Sequence, residues 1–233
     1  MSASITFIAD PLLMPCISYS LRYLFSSCLD PNFLDSPTSL IVASQFAEVV
    51  SLNWPLKNSH FSSLEPCREG PCVLSSAIKK FAELYSADKQ DSFLKGLWPR
   101  KHLLFLIVGS SPTDDNLGRI EVLREKCKLF GIVLVDLCGH FQKRYGSAVE
   151  ELFDYIVRYP YSKLKQSDLN NLFGWVPNCL HGFIMHNYEG HHPNEPTFLK
   201  DPPQPFGFMN VILKRKIEFW GPLGDEHIES VEG

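Results

Sequence analysis

Two short, dense apolar runs dominate the middle of the chain, Leu103-Leu-Phe-Leu-Ile-Val108 and Ile132-Val-Leu-Val-Asp-Leu-Cys138. Runs of that length without polar alternation predict strands buried on both faces. Ile5-Thr-Phe-Ile-Ala9 opens the chain as a third strand, and Ser39-Leu-Ile-Val-Ala43 is a fourth. Phe46–Leu52 follows so closely that only Ser44 and Gln45 remain to turn the chain, which predicts a hairpin ending at Trp54-Pro55. Between these runs the period changes. Ile17, Leu21, Leu24, Phe25, Cys28 and Leu29 fall on one helical face, and so do Leu74, Ala77, Ile78, Phe81 and Leu84. Ile120, Leu123, Cys127 and Phe130 form a third stripe with Gly131 as its C-cap. Val149, Leu152, Phe153, Ile156 and Val157 form a fourth, opened by a capping box of Ser147 and Glu150 and stopped by Pro160.

The resulting order is β-α-β-β-α-β-α-β-α. Strands alternating with helices demand a mostly parallel sheet covered on both faces, and the tight hairpin adds one antiparallel edge strand. The fold class is therefore α/β, a Rossmann-like three-layer sandwich. Sites in such sheets lie beyond the carboxyl ends of the strands. That points to the loops Asp10–Cys16, Leu64–Val73 and Gly109–Leu117. The polar stretch Ser86–Pro99 reads as a loop or short helix. The alternation stops near residue 173, which divides the chain into an α/β domain, 1–173, and a Pro- and His-rich extension, 174–233. The extension holds one strand-like run, Phe208–Phe219, and an acidic tail.

Composition narrows the function classes. With 233 residues, 45% hydrophobic and 12% aromatic, the chain has enough apolar material for a sizeable core. A formal charge of −4 without a basic block leaves no electrostatic footprint for nucleic acid. No apolar run approaches the ~20 residues that span a bilayer. The start, Met-Ser-Ala-Ser, lacks the basic region of a signal peptide. Seven cysteines, an odd number with no Cys-x-x-Cys pair, suit a reducing compartment.

Three stretches carry a resemblance to the von Willebrand factor A domain over roughly residues 4–173. Strand one ends in Asp10 before a helix. The hairpin is followed by a helix opening at Leu74-Ser-Ser-Ala-Ile78. Leu104-Phe-Leu-Ile-Val-Gly-Ser-Ser-Pro-Thr-Asp-Asp115 then leads through a helix into Gly131-Ile-Val-Leu-Val-Asp-Leu137. Metal-binding members of this family use Asp-x-Ser-x-Ser after strand one, a Thr before the next major helix and an Asp closing the fourth strand. Those oxygens suit a hard cation such as Mg²⁺. This chain reads Asp10-Pro-Leu12-Leu-Met14 at the first motif, with Cys72 at the Thr position and Val108 at the Asp position. The resemblance thus implies a degenerate metal-ion-dependent adhesion site and no cofactor. Degenerate copies of this kind resemble intracellular subunits of the proteasome, TFIIH, Mediator, Integrator and deubiquitinase complexes. The implied role is a non-catalytic adaptor or scaffold with protein partners, in nucleus or cytoplasm, in ubiquitin-related, transcription or DNA repair assemblies.

The candidate partner-binding residues are Asp10, Leu12, Met14, Cys72, Ser110, Phe208 and Trp220. Each also has a plain structural reading: Asp10 as a turn cap, and Leu12 and Met14 as plugs in a vacated pocket. Two other functional classes compete. One is an enzyme using a pocket above Asp10 and Ser110, although the Gly-x-Ser-x-Gly elbow and the phosphate-binding glycine loops are absent. The other is a zinc-binding interaction module built from Cys179, His181, His186 and His191, whose spacing matches no standard zinc site.

Overall fold

The computed structural model describes residues 3–27, 31–55, 70–94, 101–114, 117–126, 130–153, 155–158, 164–185 and 210–213. Among the described residues seven strands form one sheet: β1 (Ala3–Ala9), β2 (Pro37–Val42), β3 (Glu48–Pro55), β4 (Lys101–Val108), β5 (Phe130–Asp136), β6 (Tyr155–Arg158) and β7 (Asn210–Leu213). Their order is β3-β2-β1-β4-β5-β6-β7. The five strands from β2 to β6 run parallel, and β3 and β7 are antiparallel edges. The helices are α1 (Met14–Ser27), α2 (Pro31–Asp35), α3 (Leu74–Leu94), α4 (Leu117–Lys126), α5 (His140–Tyr145), α6 (Ala148–Leu152) and α7 (Gln166–Met185).

The central strands are apolar throughout because each residue enters one of two cores. Ile5, Phe7, Leu103, Phe105, Ile107, Val133 and Val135 face α1, α2 and α7. Ile8, Leu104, Leu106, Val108, Ile132 and Leu134 face α3 to α6. The stripes on α1 and α3 deliver their apolar residues as expected, with Ile17, Leu21 and Leu24 in the first layer and Leu74, Ala77, Ile78 and Phe81 in the second. Phe7 stacks on Phe105 and meets Phe173 of α7, both at 5.3 Å between ring centroids. A polar staple ties α7 to α1: Gln166 Nε2 donates to the Cys16 carbonyl at 3.0 Å and to Ser20 Oγ at 2.8 Å. This is the expected three-layer α/β sandwich with a mostly parallel sheet.

Several local expectations are corrected. The fourth helical stripe divides into α6 and β6. Sequence neighbours Ile156 and Val157 are both fully buried and lie in opposite cores. A strand places neighbours on opposite faces, whereas a helix separates them by only about 100°. Ser147 sits in helical backbone and makes no side-chain cap, so the capping-box pattern is unused. Gly131 lies within β5, opposite Leu103, instead of capping α4. The stretch after Ser86 continues α3 to Leu94. The turn between β2 and β3 takes five residues, 43–47, with Ala47 at φ 48°. The 173/174 division falls inside α7, whose Trp175 and Val176 belong to the first core, and β7 joins the sheet through β6.

Candidate functional site at the carboxyl edge of the sheet

β1 and β4 are neighbours whose chains leave in opposite directions across the sheet, so their carboxyl ends form the switch point where such folds place sites. Asp10 ends β1 there and is fully buried. Its Oδ1 accepts from the Leu12 amide at 2.9 Å, as the N-cap of the 3-10 turn Pro11–Leu13. Its Oδ2 accepts from Gly109 N at 3.1 Å, Ser110 N at 2.7 Å and Ser110 Oγ at 2.6 Å. The Asp10 amide donates to Ile107 O at 2.9 Å. One carboxylate therefore clips the ends of β1 and β4 together, and four donors occupy its two oxygens.

Leu13 lies over that clip. A Cβ placed on Gly109 would come within 2.7–2.9 Å of three Leu13 side-chain carbons. Glycine is needed there because the Leu13 side chain fills the space a larger residue would take. The neighbouring segment is closed by backbone: Thr113 N donates to Cys72 O at 2.9 Å, and Leu74 N to Asp114 O at 2.9 Å. Ser75 Oγ donates to Asp114 Oδ2 beside them.

Two thiols border this edge. Cys72 is buried, and that burial, reinforced by the Asp10 carboxylate and by Cys138, holds its pKa far above the ordinary thiol value. Burial also pushes the half-buried Cys138 thiol up to about 11. The His140 backbone opposes that shift, and Asp136 and Asp10 add to it. Cys138 Sγ donates to Asp136 Oδ1 at 3.4 Å, and the His140 amide donates to the same oxygen at 3.2 Å. These are protonated thiols at neutral pH, poor nucleophiles and poor metal ligands in that state. Among the described residues no group of three or more His, Cys, Asp or Glu side chains is placed to hold a metal ion.

The expected residues separate by exposure. Asp10, Cys72 and Ser110 converge on the edge, with Val108 buried beneath it. Met14 is only 1% exposed and belongs to the α1 core, so it offers nothing to a partner. Leu12 is 50% exposed at the surface of the edge. Phe208 and Trp220 lie outside the described residues, as do His186 and His191; Cys179 and His181 lie in α7, their side chains outside the described set. Sequence reasoning passed over Leu13 and Phe46. Phe46 is 87% exposed in the turn after β2, which sits at the same edge because Ala43 N donates to Ala9 O at 2.8 Å. Its only sequence signal was an aromatic residue at a turn position. Leu13 gave none, since one leucine among Leu12, Leu13 and Met14 cannot be ranked without the fold.

No protein-family model matches the sequence, and no curated protein does. Two structures of proximal thread matrix protein 1 (PTMP1) from the mussel byssus align with 76% of this chain. They do so at 12% identity with TM-score 0.51 over 47% of the one, and at 11% with 0.48 over 48% of the other. The ArnB paralog VWA2 from Sulfolobus acidocaldarius aligns with 73% of this chain and 45% of its own, at 13% identity and TM-score 0.44. The chain spans about half the length of the solved structures it matches. At 12% identity the likeness to PTMP1 is one of fold alone.

Proposed function

We propose that this chain is a non-catalytic docking module, an adaptor or scaffold subunit of an intracellular multiprotein complex, on a von Willebrand A-type sheet whose cation site is closed. The observation that carries the reading is the Asp10 carboxylate. Its Oδ2 accepts from Gly109 N, Ser110 N and Ser110 Oγ, and its Oδ1 from Leu12 N, so the carboxylate is engaged in holding the strand ends, which supports a site given over to structure. Leu12 and Met14 put carbon where the family's two serine oxygens would stand, and Leu13 packs against Gly109 between them. A hard divalent cation needs about six oxygens in strict geometry. This edge exposes two large apolar side chains, Leu12 and Phe46, of the kind that anchor protein interfaces, beside the polar Gln45, Ser111, Thr113 and Asp114. The free thiols Cys16, Cys72 and Cys138 suit the reducing nucleus or cytoplasm.

The test has two arms. A protein that binds Mg²⁺ only when folded gains about 2.7 kcal/mol at a hundredfold excess over Kd. No thermal shift with Mg²⁺ or Mn²⁺ is expected, and a saturable shift abolished by Asp10→Ala would overturn the closed site. In the second arm, tagged chain is purified from its own cells. Leu12→Arg and Phe46→Ser should leave stability within about 0.5 kcal/mol, as surface changes do, while most co-purifying protein is lost. Unchanged recovery in both variants would move the docking surface elsewhere.

A further inference from the structure

We infer that the outward face of α1 is the contact between two copies of this chain, packed antiparallel about a two-fold axis at Tyr19. The inference stands apart from the docking edge of Leu12 and Phe46 and needs no other protein. Of the 14 residues of α1 only Arg22 is charged. The inner face of the helix enters the first core through Ile17, Leu21 and Leu24. By the helical period its outer face carries Pro15, Cys16, Tyr19, Arg22, Tyr23 and Ser26, none of them buried. Tyr19 is 55% exposed and Tyr23 48%. The helices across the sheet turn charge to solvent instead: Lys79 on α3, Arg119 and Glu121 on α4, and Lys143 and Arg144 on α5 are all exposed. A helix that is apolar on both faces belongs between two protein surfaces.

The order of the stripe selects a second copy as its cover. Pro15 and Tyr23 stand four positions before and after Tyr19, so the face is complementary to its own reversal about Tyr19. A two-fold axis performs that reversal. Tyr19 then meets the other copy's Tyr19, and each Tyr23 meets the other copy's Pro15. Arg22 falls at the level of the other copy's Cys16, one turn from its Tyr19 ring, where a guanidinium and an aromatic face attract. The two guanidiniums lie six positions apart along the pair, about 9 Å at the rise of a helix. No carboxylate on α1 calls for a basic partner. Beside it, the exposed residues among those described on α7 are Ser167, Asn171 and Gly174, short enough to let a second helix approach. The β3 edge of the sheet offers no equivalent route. Between Thr38 and Ile41 of β2, β3 twice inserts an extra residue, and such bulges interrupt the ladder that a second copy's strand would continue.

The experiment uses the full chain alone. Sedimentation equilibrium should show a monomer–dimer equilibrium. Its Kd should be at least tenfold weaker in Tyr19→Lys, which sets two like charges on the axis, and weaker in Tyr23→Ala. A short bis-maleimide should join Cys16 to the other copy's Cys16, and that covalent dimer should be lost in Cys16→Ser and in Tyr19→Lys. Val122→Lys, at an exposed position on α4, should leave both readings unchanged. Should Tyr19→Lys fail to fold, Tyr19→Ala carries the same comparison. A chain that is monomeric at every concentration overturns the proposal, and so does a dimer that the Tyr19 variants leave intact or a covalent dimer that survives Cys16→Ser. A monomeric wild type that loses a co-purifying protein only in Tyr19→Lys would give the face to another partner and equally overturn self-association. The docking reading is judged separately, by Leu12→Arg and Phe46→Ser.

Discussion

Asp10 shows how a single side chain decides what a site can do. A carboxylate at the end of β1 was legible in the sequence, and so were the apolar Leu12 and Met14 that follow it. That its oxygens turn inward to Gly109 and Ser110 was not, because those partners lie 99 and 100 residues away. The Leu13–Gly109 packing gives a sharp prediction. Gly109→Ala should destabilise the fold by about 1–3 kcal/mol, the usual cost of overpacking, read from urea unfolding. Adding Leu13→Ala should recover part of that loss, since the two changes share one space. Strict additivity would mean that the leucine does not press on the glycine. The thiols predict a pH response of definite sign. Cys138 titrates near 9 when unfolded and about 11 when folded, with Cys72 shifted the same way. Folded protein therefore holds these protons more tightly. Stability from this source is complete below pH 9 and declines as pH rises through the window to about 11. Cys138→Ala should flatten that part of the unfolding profile, and an unchanged slope would show that the thiol environment is not as described.

At the scale of elements, legibility followed burial. β4 and β5 read correctly because a strand covered on both faces is apolar at every position, whatever its neighbours are. β6 did not, because Ile156 and Val157 fit the end of a helical stripe as well as a four-residue strand. Only the two separate cores distinguish the periods. Two truncations test the corrected anatomy. A chain ending at residue 173 lacks Trp175 and Val176, fully or almost fully buried in the first core, and should lose cooperative thermal unfolding. A chain ending at 185 keeps α7 whole and should retain it. If both behave alike, the second half of α7 contributes nothing to the core. The central strands offer a calibration: Ile107→Ala should cost about 2–5 kcal/mol, and Val133→Ala less because fewer methyl groups are lost.

Across the whole molecule, the layered order that sequence period implied is what the sheet shows, while its outer limits came only from the structure. The polar contacts are arranged by layer: Gln166 and Ser20 hold α1 against α7 on one side, and Ser4 Oγ meets His102 Nδ1 at 2.6 Å beside Tyr85 at the amino end of the sheet. The carboxyl end, by contrast, combines a sealed carboxylate with outward-facing Leu12 and Phe46. No described helix is long and apolar enough to cross a membrane. A molecule-scale consequence is that metal binding and partner binding should be uncoupled: chelator should leave the set of co-purifying proteins unchanged.

The doubled irregularity of β3 bears on how many molecules can join. A sheet that accepts strands at both margins can grow without limit, one chain after another, into fibres. Here the β3 margin carries two surplus residues that break its register with β2, so it offers an incoming strand no regular ladder to continue. Deleting Val50 removes one surplus residue and straightens the margin toward regular pairing. That variant should scatter light on incubation at concentrations where the wild-type chain stays clear.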